Sequence, residues 1–297
     1  MRELRRPGLR LIEDRAAMAH TDKFLLAGVM GWPVMHSRSP LIHNYWFRKH
    51  ALAGSYVPLA IEPRGLAAAL RALPALGFAG CNVTIPHKQE AMRIVDDVHE
   101  SARAIGAISC VVVRPDGSLA GSNNDAFGFI RNLRQQQPRW RADSGPVVVL
   151  GAGGGSRAVC YGLLQEGVRE IRLVNRGAER AREVAKSFGA AVRAYPWEER
   201  NDVLNGAALV VNTTSQGMVG QGVLDVSLDR LPAAAIAADI VYIPLATPFL
   251  AAARARGNPT VSGLGMLLHQ GPLAWKAWFG IEPEVSDELR LLVEQSL

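Results

Sequence analysis

Apolar residues along this chain fall into short blocks separated by polar turns carrying glycine and proline, and two spacings alternate. KFLLAGVMG, closed by glycine, predicts a buried strand, and SPLIHNYWFRKHAL predicts a helix with Ser39 as N-cap and Pro40 at the first helical position. SYVPLAIE, GLAAALRALPALG and FAGCNVT repeat the order strand, helix, strand, with Pro74 as an irregularity in that helix, and a helix-like run QEAMRIVDD follows. Such alternation predicts a mainly parallel sheet. ISCVVVRPDGSLAGS predicts a hairpin on the sheet edge, because Pro115-Asp116-Gly117 makes a turn between two extended runs, and DAFGFIRNLRQQQ predicts a connecting helix. After the polar stretch QQQPRWRADSG a second series opens at Pro146. PVVVLG, EIRLVNR, AVRAY, ALVVNTT and IAADIVY read as strands, with helices over Ser156 to Gly167 and Ala178 to Gly189. The last segment, LGMLLHQGPLAWKAWFG, reads as a helix despite Pro272 and returns to the first domain.

The expected fold class is therefore α/β with two domains and a cleft between them. One domain spans residues 21–126 and is joined by helices in 263–297; the other spans 127–262. The chain has 297 residues, enough for two cores. Its 48% hydrophobic and 20% charged residues exclude a disordered chain, and its longest apolar runs are too short and interrupted for a bilayer. The net charge of +6 comes from 33 Lys+Arg against 27 Asp+Glu, but five of the positives lie in the first fifteen residues. The body is thus only mildly basic, which fits an anionic small ligand and gives no support to nucleic-acid binding. Cys81, Cys110 and Cys160 show no metal-ligand spacing and sit in apolar contexts, so buried free thiols, no metal and a reducing, cytoplasmic setting are expected. The first residues lack an apolar signal core, and Met18 offers a second start; residues 1–20 are read as a flexible or non-native extension.

Five segments carry candidate chemistry. NVTIPHK, Asn82 to Lys88, ends an apolar strand in a sharp turn: Pro86 lacks an N–H and pushes Ile85 toward extended geometry, so the strand stops there. Asn82 and Thr84, at period two, face one side together, and Lys88 follows close enough to share a pocket with them. GAGGGS, Gly151 to Ser156, follows a strand and opens a helix, so its backbone amides and the helix dipole face a pyrophosphate, as in a Rossmann-like dinucleotide domain. At the end of the next strand, about 24 residues on, such a domain for NAD places an acid on the ribose hydroxyls. This chain has Asn175-Arg176 instead, with Arg180 four residues later. Two guanidiniums suit a 2′-phosphate and favour NADP(H), with NAD(H) as the alternative. SNNDAFG supplies Asp125 at a helix entry, where a carboxylate also serves as an N-cap, and HSRSP supplies Ser37 and Ser39 about a helix start, suited to capping or to a carboxylate.

Taken together, HSRSP, NVTIPHK, NNDAFG, GAGGGSRA, NRGAER and GMLLHQ resemble, in order and spacing, the shikimate dehydrogenase family, which includes the quinate/shikimate dehydrogenases. The resemblance runs from Lys23 to the C-terminal helix. It implies a substrate domain, a Rossmann-like NADP(H) domain, and hydride transfer at a ring alcohol carbon of shikimate or a close analogue. Lys88 and Asp125 look like the catalytic pair, and Ser37 and Ser39 like partners of the substrate carboxylate. Asn82, Thr84, Ser109 and Gln270 fall where the family meets the ring hydroxyls, and Tyr242 in DIVYIPLATP where it lines the cleft. Gly151, Ala152, Gly153, Gly154, Gly155, Ser156, Asn175, Arg176, Arg180, Thr213, Met218 and Gly263 fall at the cofactor. The implied partner is a small cyclic hydroxy acid, with a monomer or homodimer as the working form.

Departures from the family pattern cluster about that pair. Ser109 stands for an asparagine, Asn124 for a threonine, Ala126 for a glycine and His87 for an aromatic, while Gly177 replaces a threonine near the cofactor. A missing polar partner shifts specificity strongly, so these point to a divergent member and leave its preferred ring acid open between shikimate and a close analogue. Quinate dehydrogenase using NAD(H) is the second enzymatic reading, and a non-catalytic dinucleotide-binding regulator is the reading from another class.

Overall fold

The computed structural model describes residues 23–297, so the expected extension over residues 1–20 lies outside the described residues. The chain builds two six-stranded sheets, one from each half. The first contains β1 (Leu25–Gly31), β2 (Gly54–Ala60), β3 (Gly80–Val83), β4 (Asp97–Val98), β5 (Cys110–Val113) and β6 (Leu119–Ser122), in the order β2-β1-β3-β5-β6-β4. Helices α1 (Ser39–Lys49), α2 (Leu66–Ala72), α3 (Lys88–Ile94) and α4 (Glu100–Ile105) connect them. Strand β1 runs parallel to β2 and β3, whereas β5 is antiparallel to β3 and β6.

Several local expectations need correction. The β5–β6 hairpin forms but is not at the sheet edge, because β4 pairs outside β6. Strand β4 takes Asp97 from the end of the run that reads as helix and Val98 just beyond it, and α3 stops at Ile94. Two residues are too few to show a period, so only tertiary pairing reveals this strand. Helix α2 ends at Ala72, because Pro74 brings no N–H to extend its ladder. Helix α1 has Arg38, not Ser39, at its N-cap.

The second sheet comprises β7 (Val147–Leu150), β8 (Ile171–Asn175), β9 (Val192–Pro196), β10 (Leu209–Asn212), β11 (Ile236–Asp239) and β12 (Thr260–Val261). All pairings are parallel, in the order β12-β11-β10-β7-β8-β9. Strands β7, β10 and β11 are buried end to end, as mainly apolar parallel strands covered on both faces should be. The order reverses at β7, so β8 and β10 diverge on either side and leave a crevice beyond the carboxyl end of β7. Helix α5 (Asp125–Gln136) links the sheets, and α6 (Gly154–Gln165), α7 (Ala178–Phe188) and α8 (Pro248–Ala255) complete the second layer. Helix α6 begins two residues before the expected Ser156, because the glycines themselves turn into its first coil.

Helix α9 (Leu264–Phe279) runs through Pro272 and carries the chain back to the first core. Its Leu264, Leu268, Trp275 and Trp278 pack with Trp46, Phe47 and Tyr56, and α10 (Asp287–Glu294) adds Leu289 and Val293. Trp275 Nε1 donates to His43 Nδ1 at 2.7 Å, and Trp278 Nε1 donates to the Val111 carbonyl at 2.9 Å. Full burial pushes the His43 imidazole down to about 3, so it stays neutral and free to accept. Cys81, Cys110 and Cys160 are buried and unbridged, and burial pushes each thiol up. Among the described residues no helix is long and apolar enough to cross a membrane.

Helices α5 and α9 approach so closely that a Cβ on Gly128 would stand 2.6 Å from the Met266 carbonyl oxygen. Backbone on both sides leaves nothing flexible to yield. Gly128→Ala is expected to cost about 1–3 kcal/mol, seen as a lower thermal midpoint by circular dichroism; an unchanged midpoint would refute this packing.

Candidate active site

The turn after β3 aims one lysine into the cleft. His87 N–H closes on the Thr84 carbonyl at 2.9 Å, the Ile85–Pro86 peptide is cis, and His87 caps α3, which starts at Lys88. The buried His87 ring places Nε2 2.7 Å from the Ile61 carbonyl. A carbonyl only accepts, so Nε2 carries the proton and donates, tying the turn to the chain beyond β2. Lys88 Nζ lies 2.5 Å from Asp125 Oδ2, with 18% and 9% of the two side chains exposed.

Asp125 is not the cap of α5. Asn124 occupies the N-cap without a side-chain bond to the helix, and Asn123 makes an Asx turn, its Oδ1 accepting from Asp125 N–H at 2.9 Å and its Nδ2 donating to the Ala107 carbonyl at 2.9 Å. The Asp125 carboxylate is thereby released from capping and left to Lys88.

Opposite this pair stand the polar groups expected at a ring acid. Asn82 Nδ2 donates to the Ser109 carbonyl at 3.1 Å and toward Gln270 Oε1 at 3.4 Å, so α9 and β3 meet at one point. Thr84 is half-buried, its methyl lying against Gly31. Ser109 is buried, and its Oγ accepts from Asn124 N–H at 2.9 Å. Ser37 Oγ accepts from Ser39 N–H at 3.2 Å, so Ser37 makes the turn that starts α1 and Ser39 becomes its first residue, with Pro40 next. Tyr242 reaches across from the loop after β11 to pack on the first core beside Arg38, and its burial pushes the phenol up.

On the other wall, Gly151 adopts φ +107°, a left-handed geometry that favours glycine, and a Cβ there would stand 2.9 Å from Thr213 Oγ1. Nothing lies within 4 Å of where a Gly153 Cβ would be, and a Gly154 Cβ would sit 3.6 Å from Lys88 Cδ. The turn from Gly151 through Ala152, Gly153, Gly154 and Gly155 to Ser156 therefore presents the open N-terminus of α6 directly beside the lysine. Ser156 Oγ donates back to the Gly153 carbonyl at 2.7 Å and holds that shape. Asn175 Nδ2 donates to the Gly177 carbonyl at 2.9 Å at the end of β8. Arg176 and Arg180 are exposed, and among the described residues neither has an acidic partner. An open cradle at a helix N-terminus flanked by two unpaired guanidiniums fits a phosphorylated dinucleotide.

Thr213, Met218 and Gly263 lie nearby but differ in what they offer. Thr213 spends its hydroxyl on the Leu150 carbonyl at 2.7 Å, and Met218 is half-buried in the loop after β10. A Cβ on Gly263 would overlap the Ile240 carbonyl oxygen at 2.4 Å, so that glycine lets α9 start against the β11 loop.

Local patterns gave no sign of the residues behind these groups. Tyr56 OH donates to Asn82 Oδ1 at 2.7 Å and so fixes which way that amide points. Asn212 Nδ2 donates to the Gln216 carbonyl at 3.1 Å and to Asp239 Oδ1 at 3.0 Å, while Asp239 Oδ2 accepts from Thr247 at 2.8 Å. That network ties the Met218 loop to the Tyr242 loop. Burial pushes the Asp239 carboxyl up to about 6, against the donors that favour its charge. Tyr56, Asn212 and Asp239 lie within or at the end of apolar strands and Thr247 caps α8, so only their distant partners betray them. Among the described residues no cluster of His, Cys, Asp or Glu could hold a metal ion.

Comparison with known proteins places the chain among relatives. Residues 29–111 match the family model described as the shikimate dehydrogenase substrate binding domain, and residues 134–247 match shikimate / quinate 5-dehydrogenase. The chain is 54% identical to the shikimate dehydrogenase (NADP(+)) of Paramagnetospirillum magneticum over 92% of this chain and 99% of that one. The structure superposes on quinate dehydrogenase from Corynebacterium glutamicum in complex with NAD, with TM-score 0.85, 31% identity and coverage of 93% and 100% of the two chains. It also superposes on shikimate 5-dehydrogenase from Thermus thermophilus in complex with NADP(H) and shikimate, with TM-score 0.82, 34% identity and coverage of 92% and 100%. With a relative of this identity along nearly its full length, and with a two-domain α/β fold to match, the chain belongs to the shikimate dehydrogenase family.

Proposed function

We propose that this protein is an NADP(H)-dependent oxidoreductase acting between the ring alcohol of shikimate and the ketone of 3-dehydroshikimate. The observation that carries the reading is the Lys88–Asp125 pair, 2.5 Å apart and mostly withdrawn from water, with the glycine turn of α6 beside it. When bound, the nicotinamide supplies or accepts the hydride. The protein's part is the proton. As hydride leaves the ring carbon, the hydroxyl on that carbon must lose its proton, and Lys88 with Asp125 takes it; in the reduction the pair returns it to the ketone oxygen.

Around that point the other residues divide the work. Ser37 and Ser39, with Tyr242 across the cleft, hold the ring carboxylate, while Asn82, Thr84, Ser109 and Gln270 line the ring hydroxyls. Gly151 to Ser156 receive the pyrophosphate, Asn175, Arg176 and Arg180 the 2′-phosphate end, and Thr213, Met218 and Gly263 shape the wall at the nicotinamide end. Substrate and catalytic functions belong to residues 21–126 with 263–297, and cofactor binding to residues 127–262. The protein works in the cytoplasm on a free small molecule, as a monomer or homodimer.

Initial rates with shikimate and quinate, each under NADP and NAD, test the assignment. Turnover greatest for shikimate with NADP is expected, and turnover greatest for quinate with NAD would replace it with the quinate reading. Lys88→Ala should lower kcat by about 10²- to 10⁴-fold while NADPH affinity, read by fluorescence titration, stays the same; near-normal turnover would remove Lys88 from the mechanism. Arg176→Ala combined with Arg180→Ala should raise KM for NADP by at least about tenfold through lost charge-assisted bonds and leave KM for NAD nearly unchanged.

A further inference from the structure

Asn124 stands at the N-cap of α5, between the catalytic Asp125 and the end of β6, and does no capping. It is 6% exposed, and its side-chain nitrogen is buried with no hydrogen-bond partner. A buried amide donor left unpaired is costly and rare, so the position calls for a partner. The groups nearest in the chain are already committed. Ser109 Oγ accepts the backbone N–H of Asn124 at 2.9 Å, Asn123 bonds Asp125 and Ala107, and the Asp125 carboxylate holds Lys88.

The surroundings show which way the free donor lies. The Asn124 amide borders the Cys110 thiol, a weak partner that also feels the Asp125 charge. Cys110 sits directly across the β3–β5 ladder from Asn82, so both side chains share the face where Asn82 meets Gln270. Asn124 thus borders the same pocket as those two amides. Resting on the shikimate reading above, we propose that Asn124 Nδ2 donates a hydrogen bond to a ring hydroxyl oxygen of the cyclic hydroxy acid other than the one that reacts, with Ser109 behind it as a positioning residue. The reacting oxygen belongs to Lys88 and Asp125, which leaves a neighbouring hydroxyl for Asn124. The hydroxyl of Ser109 accepts the backbone N–H of Asn124 and so fixes where that amide stands.

Steady-state kinetics with shikimate and with ring acids each lacking one non-reacting hydroxyl test this. Asn124→Ala should raise KM for shikimate about tenfold, an ordinary value for one lost donor, with kcat and NADPH affinity close to those of the parent. For one of the deoxy acids the parent and Asn124→Ala should have equal KM, which a merely structural role would not produce. Ser109→Ala should raise KM for shikimate in the parent and add nothing when combined with Asn124→Ala. An active parent whose KM is unmoved by Asn124→Ala, a loss that persists with every deoxy acid, or a loss of NADPH binding would overturn the role of Asn124. Additive effects of the two substitutions would overturn that of Ser109. A parent inactive on shikimate would overturn the underlying reading and the inference with it.

Discussion

Lys88 and Asp125 meet at 2.5 Å where little water reaches, and charges so withdrawn are tolerated only when each has the other as partner. Much of the first domain serves to hold the two backbones that bring them there. The strand β3 must stop at Val83, the turn must close on Thr84, and the His87 ring must reach the Ile61 carbonyl for Lys88 to open α3 in this direction. From the other side, Asn123 folds β6 into α5 and frees Asp125. Two local hydrogen-bonded turns, from segments 37 residues apart, converge on a single contact.

The walls of the cleft are built by opposite means. The ring-acid side uses side chains whose orientation is set one layer back, as Tyr56 sets Asn82. The dinucleotide side uses backbone: glycines remove side chains from the end of β7 so that the first turn of α6 stands open. Under the proposed function, specificity for the ring would rest on which donor faces which hydroxyl, and recognition of the cofactor on space and on the two arginines beyond β8.

Much of this was legible in the sequence because the chemistry rides on turns. NVTIPHK, SNNDAFG and GAGGGS are local, and each folds in a way that its own residues dictate. The fold class followed from alternating strand and helix periods. What stayed illegible depends on partners far along the chain. Strand β4 is two residues long and exists only by pairing with β6, so the hairpin read as an edge when it was not. Ser39 read as a cap because serine suits one, but Ser37 makes the turn instead. The bond from the Asn124 N–H to the Ser109 hydroxyl likewise becomes visible only once β5 and the start of α5 lie side by side.

Helix α9 carries a temporal consequence for the protein's birth on the ribosome. Trp46, Phe47 and Tyr56 are among the earlier residues to emerge, yet the surfaces that bury them, Leu268, Trp275 and Trp278, come more than two hundred residues later. The second sheet, whose strands lie between Val147 and Val261, is complete before α9 appears. The half that begins first must therefore finish last, keeping an aromatic face exposed while its neighbour folds in full. Gln270 arrives with the same helix, so the pocket closes only once α9 has been made.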